Sequence, residues 1–313
     1  MPVVVGIDEA GYGPRVGPLV LSAVAFRVPD PLADRPLWDL LRPVAGRPDR
    51  RKDLIPIDDS KRLFSRASGL GRLERTALGF ALAAGLHPRT LRELLGATAL
   101  LTENLDDYPW YRRWDPSLPR TIPHDQAPRD AERIRSLREV EFLGVRLAPV
   151  LTAELNRLVA AYGTKAAALF VKTGHLLSWA WQRWGTEGLV VRADKHGGRN
   201  RYDILLHQTF FGTQLHTLAE GRQASEYRLL SADRTMTIGF YKRGDARYAA
   251  VALASIFSKY LRELFMEGFN AYWTAAVPGL KPTAGYGADA RRFLDHLAAA
   301  AALPQAPPLV RRA

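Results

Sequence analysis

Two adjacent carboxylates at the end of an apolar run are the first residues of this chain that could do chemistry. Residues 3–14 read VVVGIDEAGYGP, so Asp8 and Glu9 close a strand-like stretch and open onto a glycine-rich turn. A charge taken out of water without a partner is strongly unfavourable, and such a pair at a buried strand end calls for a cation or a hydrogen-bond network. Hard divalent cations take oxygen ligands, which makes Mg²⁺ or Mn²⁺ the natural partner. Two further acids stand in the same context: Asp194 follows the short apolar run GLVVRA, and Asp245 follows the run from Met236 to Lys242. Acids at the ends of separate strands of an α/β sheet can converge on one site. Four convergent carboxylates supply what two-metal phosphoryl transfer requires: one ion activates a water while the other, about 3.5–4 Å away, stabilises the leaving oxygen.

The elements that must position these acids are legible in outline. Gly11, Gly13 and Gly17 follow the first run as in a dinucleotide-binding turn, which would have to open a helix. Pro18–Val28 is instead β-branched, aromatic and roughly alternating, and two carboxylates before the turn would repel a pyrophosphate. The pattern therefore predicts an antiparallel hairpin. Apolar spacing predicts helices over Ser65–Gly85, Thr152–Tyr162, Lys165–Trp184, Ala249–Tyr272 and Ala290–Ala301, with a short one in Pro31–Val44 and a charged one over Asp130–Glu141. Val140–Val150 is expected to be a strand, Gly46–Asp59 a loop, and Tyr108–Asp130 an irregular excursion from the core. The Ala/Pro-rich tail from Ala302 is expected to fray.

Composition narrows the partner. The 313 residues are 47% hydrophobic, enough for a full core. Lys and Arg total 44 against 32 Asp and Glu, a net charge of +12, and nucleic acid is the first polyanion such a chain would meet. There is no cysteine, which excludes disulfides, thiolate catalysis and Cys-ligated zinc. The N-terminal apolar run is too short and too quickly charged for a signal peptide, and no apolar span reaches the roughly 20 residues of a membrane helix. The expectation is a soluble cytoplasmic protein with no obligate protein partner.

In order and context, several segments together resemble the ribonuclease HII family. GIDEAGYGP followed by GPLV, then Asp59-Ser60-Lys61, resembles the family's opening; Glu154-Leu155-Asn156 and the next helix resemble the segment before its third acid, which Asp194 matches. Arg243-Gly244-Asp245, followed by AAVALASIFSKYLRE, resembles the Gly-Asp motif with the fourth acid and its Ala-Ser-Ile-x-x-Lys helix. The resemblance covers residues 3–85, 150–200 and 236–297. It implies one ribonuclease H-like α/β domain over 1–313, a mixed sheet flanked by helices. Beyond that core it implies an insertion near 95–149, a long segment 195–235 and a C-terminal helical part 246–301. It also implies two divalent ions on Asp8, Glu9, Asp194 and Asp245, and hydrolysis of RNA in RNA–DNA hybrids, or of ribonucleotides embedded in DNA, by in-line attack of water leaving 3′-hydroxyl and 5′-phosphate ends. Gly11, Tyr12, Gly13, Lys61, Lys259 and Tyr286 fall at the family's substrate-contacting positions.

The chain also departs from that pattern. The family usually carries Arg or Lys where Tyr12 stands. Asp194 is followed by Lys195-His196-Gly197-Gly198-Arg199 instead of Gly-Asn, and the neighbours of Tyr286 are changed to Gly287 and Thr283. Lys195 and His196 are therefore candidates for contacting the scissile phosphate or for weakening the metal site, and the Tyr108–Trp114 aromatic cluster either stacks on bases or anchors its own segment. Two other functions compete. A non-catalytic nucleic-acid-binding relative would be supported by Lys195, and an actin-like phosphotransferase would need a second glycine-rich phosphate hairpin, for which Gly197-Gly198 is the candidate.

Overall fold

The first two strands form the expected hairpin, β1 (Val3–Ala10) pairing antiparallel with β2 (Leu19–Arg27). The computed structural model describes residues 1–32, 35–48, 53–65, 69–304 and 306–312. Residues 33–34, 49–52 and 66–68, parts of the segments expected as a short helix, a loop and a helix start, lie outside the described residues, as do 305 and 313 in the tail. The other strands of the main sheet are β3 (Glu141–Val150), β4 (Leu189–Asp194), β5 (Gln214–Glu220), β6 (Ala224–Leu230) and β7 (Thr235–Tyr241). The seven strands run in the order β3-β2-β1-β4-β7-β6-β5. β1 is antiparallel to β2 and β2 to β3, whereas β1, β4 and β7 are mutually parallel. The order and directions of the first five are the ribonuclease H-like mixed sheet expected from the sequence. β6 and β5 extend it as an antiparallel meander drawn from the long 195–235 segment.

Helices cover both faces: α1 (Gly71–Ala83), α2 (Leu91–Thr98), α3 (Gln126–Arg135), α4 (Thr152–Tyr162), α5 (Lys165–Trp184), α6 (Asp203–Thr209), α7 (Ala249–Ala276) and α8 (Gly287–Ala299). One apolar cluster holds α1, α7 and α8 against one face, and a second packs α5 against the other. Both faces being covered explains why β1 and β2 read as nearly continuous apolar runs. α7 lies unusually close to β1. A Cβ on Gly6 would stand 2.1 Å from the carbonyl carbon of Ala250, so only glycine permits this approach. The same helix turns Ser258 toward the sheet, its hydroxyl 3.0 Å from the Asp8 carbonyl and 2.8 Å from Ser22 Oγ.

Within the 95–149 segment, β3 is integral to the sheet: its whole length pairs with β2. The Tyr108–Trp114 cluster is core. Trp110 packs on Phe269 and Trp273, Tyr111 on Phe265, and all three of Tyr108, Trp110 and Tyr111 are buried. These rings fasten the excursion to α7 instead of offering faces to bases. The frayed tail is also corrected. Leu309 and Arg311 are buried, Val310 forms a bridge with Val16, and Asn156 bonds both the Val310 carbonyl and the Arg312 amide. Composition alone could not show this, because the partners are long-range backbone groups.

Candidate active site

The acids are brought together by strand direction. Asp8 and Glu9 lie near the C-terminal end of β1, Asp194 ends β4, and Asp245 follows β7 by four residues; these are three adjacent parallel strands pointing the same way. The turn after β7 is tight because Arg243 adopts a left-handed φ of 58°, an uncommon conformation for a side chain with a Cβ. It presents the Gly244 amide to Asp194 Oδ1 at 2.7 Å and puts Asp245 beside that strand end. A Cβ on Gly244 would already touch Asp194 at 3.4 Å.

Their electrostatics are those of acids held in one desolvated place. Burial first, then the charges of Glu9 and Asp194, hold the Asp8 carboxyl well above the usual carboxylate range. Burial and Asp194 push Glu9 up to about 8, although the residue keeps partial exposure at the rim. Burial, followed among the raising effects by Asp245, pushes Asp194 up to about 6, against the Gly244 hydrogen bond. Among the described residues no three His, Asp or Glu side chains are already arranged to hold a metal ion together. The donor chemistry nevertheless suits a hard cation: all four groups are oxygen donors, and their mutual repulsion is what a divalent charge would relieve. Mg²⁺ commonly takes only one or two carboxylates and completes its shell with water and substrate phosphate.

The Asp59-Ser60-Lys61 stretch is divided among three tasks. The Asp59 side chain caps a short helical turn (Ser60–Leu63) by accepting from the Lys61 amide at 2.9 Å. Ser60 Oγ lies 3.0 Å from Ser255 Oγ, and Ser255 hydrogen-bonds the Asp8 carboxyl and lowers its proton affinity. Lys61 faces the acids closely enough to stabilise the charged forms of Glu9 and Asp194. Lys259 goes elsewhere. Its Nζ pairs with Glu263 at 2.6 Å and sits 4.6 Å over the Phe64 ring, in a cavity shared with Arg262 and Tyr286.

The glycine turn is assembled beside the acids. Gly11 has φ 87°, and a Cβ there would meet Arg262 Nε at 2.6 Å. Gly13 faces the Tyr286 ring, 3.8 Å from where its Cβ would be, and the Arg262 guanidinium lies 5.3 Å from that ring's centre. Tyr286 itself is 43% exposed. Under the turn lies Arg311, only 5% exposed, donating to the carbonyls of Gly11, Pro14 and Gly17. Burial and the neighbouring Arg262 pull its pKa down to about 9.

Lys195 and His196 are both engaged within the fold. Lys195 Nζ is caged by the Arg199 and Gly221 carbonyls, Asn200 Oδ1 and Ser225 Oγ, which ties β4 to the meander. His196 is packed among Phe170, Tyr202 and Phe240. Ser255 and Arg262 were accessible to sequence reasoning, since they share one face of α7 with Ser258 and Lys259 at spacings of three, four and seven. Arg311 carried no such signal.

No protein-family model matches the chain, and no curated protein matches it. Among solved structures it is similar to a chain of the PCNA–RNase HII complex from Archaeoglobus fulgidus, at 16% identity and TM-score 0.45 over 99% of this chain and 93% of that one. It is similar to the ribonuclease H2 of Pyrococcus horikoshii OT3 at 14% identity and TM-score 0.39, covering 99% and 92%. It is similar to the RNase H3 of Aquifex aeolicus at 17% identity and TM-score 0.38, covering 88% of this chain and 62% of that one.

Proposed function

We propose that this protein is a divalent-cation-dependent endonuclease that hydrolyses RNA strands, or single ribonucleotides, paired with DNA. The observation that carries the reading is the convergence of Asp8, Glu9, Asp194 and Asp245 at the ends of three adjacent parallel strands, where burial and mutual repulsion raise the proton affinity of three of them. Bound Mg²⁺ or Mn²⁺ would supply an activated water and a stabilised leaving oxygen. The acids would hold those ions, with the Glu9 amide donating to the Asp8 carboxylate at 2.8 Å and the Gly244 amide to Asp194 at 2.7 Å. Lys61, whose charge favours ionised Glu9 and Asp194, would meet a phosphate at the same edge. The Gly11–Gly13 turn offers backbone close to the site, with Tyr286 as an exposed ring beside it that can pack on a sugar or base.

The rival readings lose their particular supports. Lys195, which favoured a non-catalytic binder, is bound to carbonyls away from the acids. Gly197-Gly198 lies in the loop between β4 and α6 and forms no second phosphate hairpin. The test is incubation of purified protein with labelled RNA–DNA hybrid and with DNA duplex carrying one ribonucleotide, in Mg²⁺, in Mn²⁺ and in chelator. Metal-dependent scission of either substrate is expected. Intact substrates in both metals would overturn the reading, and binding that persists unchanged in chelator without scission would favour the non-catalytic binder.

A further inference from the structure

A cavity of about 470 Å³ opens beside Tyr12 of the glycine turn. It is lined by Tyr12, by Thr164 and Ala166 at the start of α5, and by the loop His196–Arg201. Two cations flank Tyr12. Lys165 Nζ lies 5.8 Å over the Tyr12 ring, and Arg199 lines the cavity close enough to favour the phenolate electrostatically. Among the described residues neither makes an ion pair with a carboxylate, and Arg199 Nε is buried without a hydrogen-bond partner. By contrast Arg201, at the outer edge, is engaged by Glu220 at 3.1 Å. His196 is 2% exposed; its Nε2 lies 3.2 Å from Thr173 Oγ1, while its Nδ1 is buried without a partner. The N-terminus of a 20-residue helix contributes its dipole to the same wall. A lining arginine without an acidic partner, a lysine over the lining Tyr12 ring and a helix N-terminus at the same wall are the elements of an anion site.

We propose that this cavity binds a backbone phosphate of the nucleic-acid strand, with Lys165 and Arg199 supplying positive charge on either side of Tyr12. Tyr12 is the surface over which Lys165 sits. This deepens the nuclease reading and rests on it: the phosphate is one flanking the bond presented to the acids. Glu9, which opposes ionisation of Tyr12, marks how near the two places are.

The experiment is equilibrium binding of a fluorescent RNA–DNA hybrid in chelator, so that scission does not intervene, across a series of salt concentrations. Removing a cation that neutralises one phosphate should lower the magnitude of the log–log salt slope by about one. The double variant Lys165→Gln/Arg199→Gln should do so, and each single Gln variant should lose part of that unit. Lys165→Arg and Arg199→Lys should keep the parent slope, which separates loss of charge from loss of folding. Tyr12→Arg placed in the double variant should recover about one unit of slope, because it puts a cation at the cavity wall that Tyr12 lines. Unchanged slopes in both Gln variants, with the parent binding normally, would overturn the subsite and leave the nuclease reading standing. A parent protein that neither binds nor cuts hybrid would overturn both.

Discussion

At the scale of single residues, charge decides what the site can do. Replacing Asp8 or Asp245 with Asn removes one acidic oxygen donor with almost no change of shape. Cleavage should fall by more than the roughly 100-fold that loss of an outer partner of a metal site costs. Folding should survive, because the removed charge is one that its neighbours repel. Circular dichroism and melting of the two variants beside the activity assay check both halves. The pH behaviour follows from the same repulsion. A carboxyl whose proton affinity is raised by folding binds more protons folded than unfolded between the two pKa values, so stability falls as pH rises through that interval. For Glu9 the interval runs from 4.5 to about 8. Without divalent cation the protein should therefore lose stability from about pH 5 toward pH 8, Glu9→Gln should flatten that loss, and added Mn²⁺ should stabilise most at the upper end. Melting temperature measured across pH, with and without Mn²⁺, checks the sign. A parent stability that climbs through the interval in chelator would contradict the crowding of these acids.

At the scale of elements, the tail and the long helix do most to position the site. Arg311 reaches three carbonyls of the glycine turn from the far end of the chain. Arg311→Leu would leave those buried acceptors without their donor, at about 1–3 kcal/mol for each group that water does not reach. The variant should melt lower and bind hybrid more weakly, while its acids keep their response to Mn²⁺. Gly6→Val should destabilise as well. Its side chain would be driven into the α7 backbone, and overpacking of this kind typically costs about 1–3 kcal/mol or more, to be read in a denaturant titration. These two cases also mark what the sequence could and could not convey. The hairpin, the strands that precede the acids and the helix of α7 are periodic or local patterns, and the structure has them. The clamp by Arg311, the cage around Lys195 and the engagement of Lys259 by Glu263 depend on side chains meeting across the fold. No local pattern encodes such meetings, and a tail rich in Ala and Pro looks the same whether it frays or docks. The aromatic cluster at Tyr108–Trp114 was ambiguous for the related reason that rings suited to stacking on bases suit packing on Phe265 and Trp273 equally well.

At the scale of the whole molecule, a net charge of +12 surrounds a strand-end cluster of the opposite sign. Among the described residues no helix is long and apolar enough to cross a membrane. The general positive field should draw in a polyanion, and the acids should resist it until cations intervene. Hybrid binding should therefore weaken steeply with salt. If six or more phosphates are contacted, affinity should drop by about 10³-fold or more between 50 and 200 mM salt. Anisotropy titrations at several salt concentrations measure this directly. The central claim is that the four acids make a nuclease, and its most direct test is one end-labelled duplex carrying a short RNA tract, cut by the parent protein and by Asp194→Asn in Mg²⁺, Mn²⁺ and chelator. The expected result is scission within the RNA tract by the parent in metal, with 3′-hydroxyl and 5′-phosphate ends, and none in chelator or with Asp194→Asn. Scission that survives the loss of Asp194, or a duplex left whole by the folded parent in both metals, would contradict it.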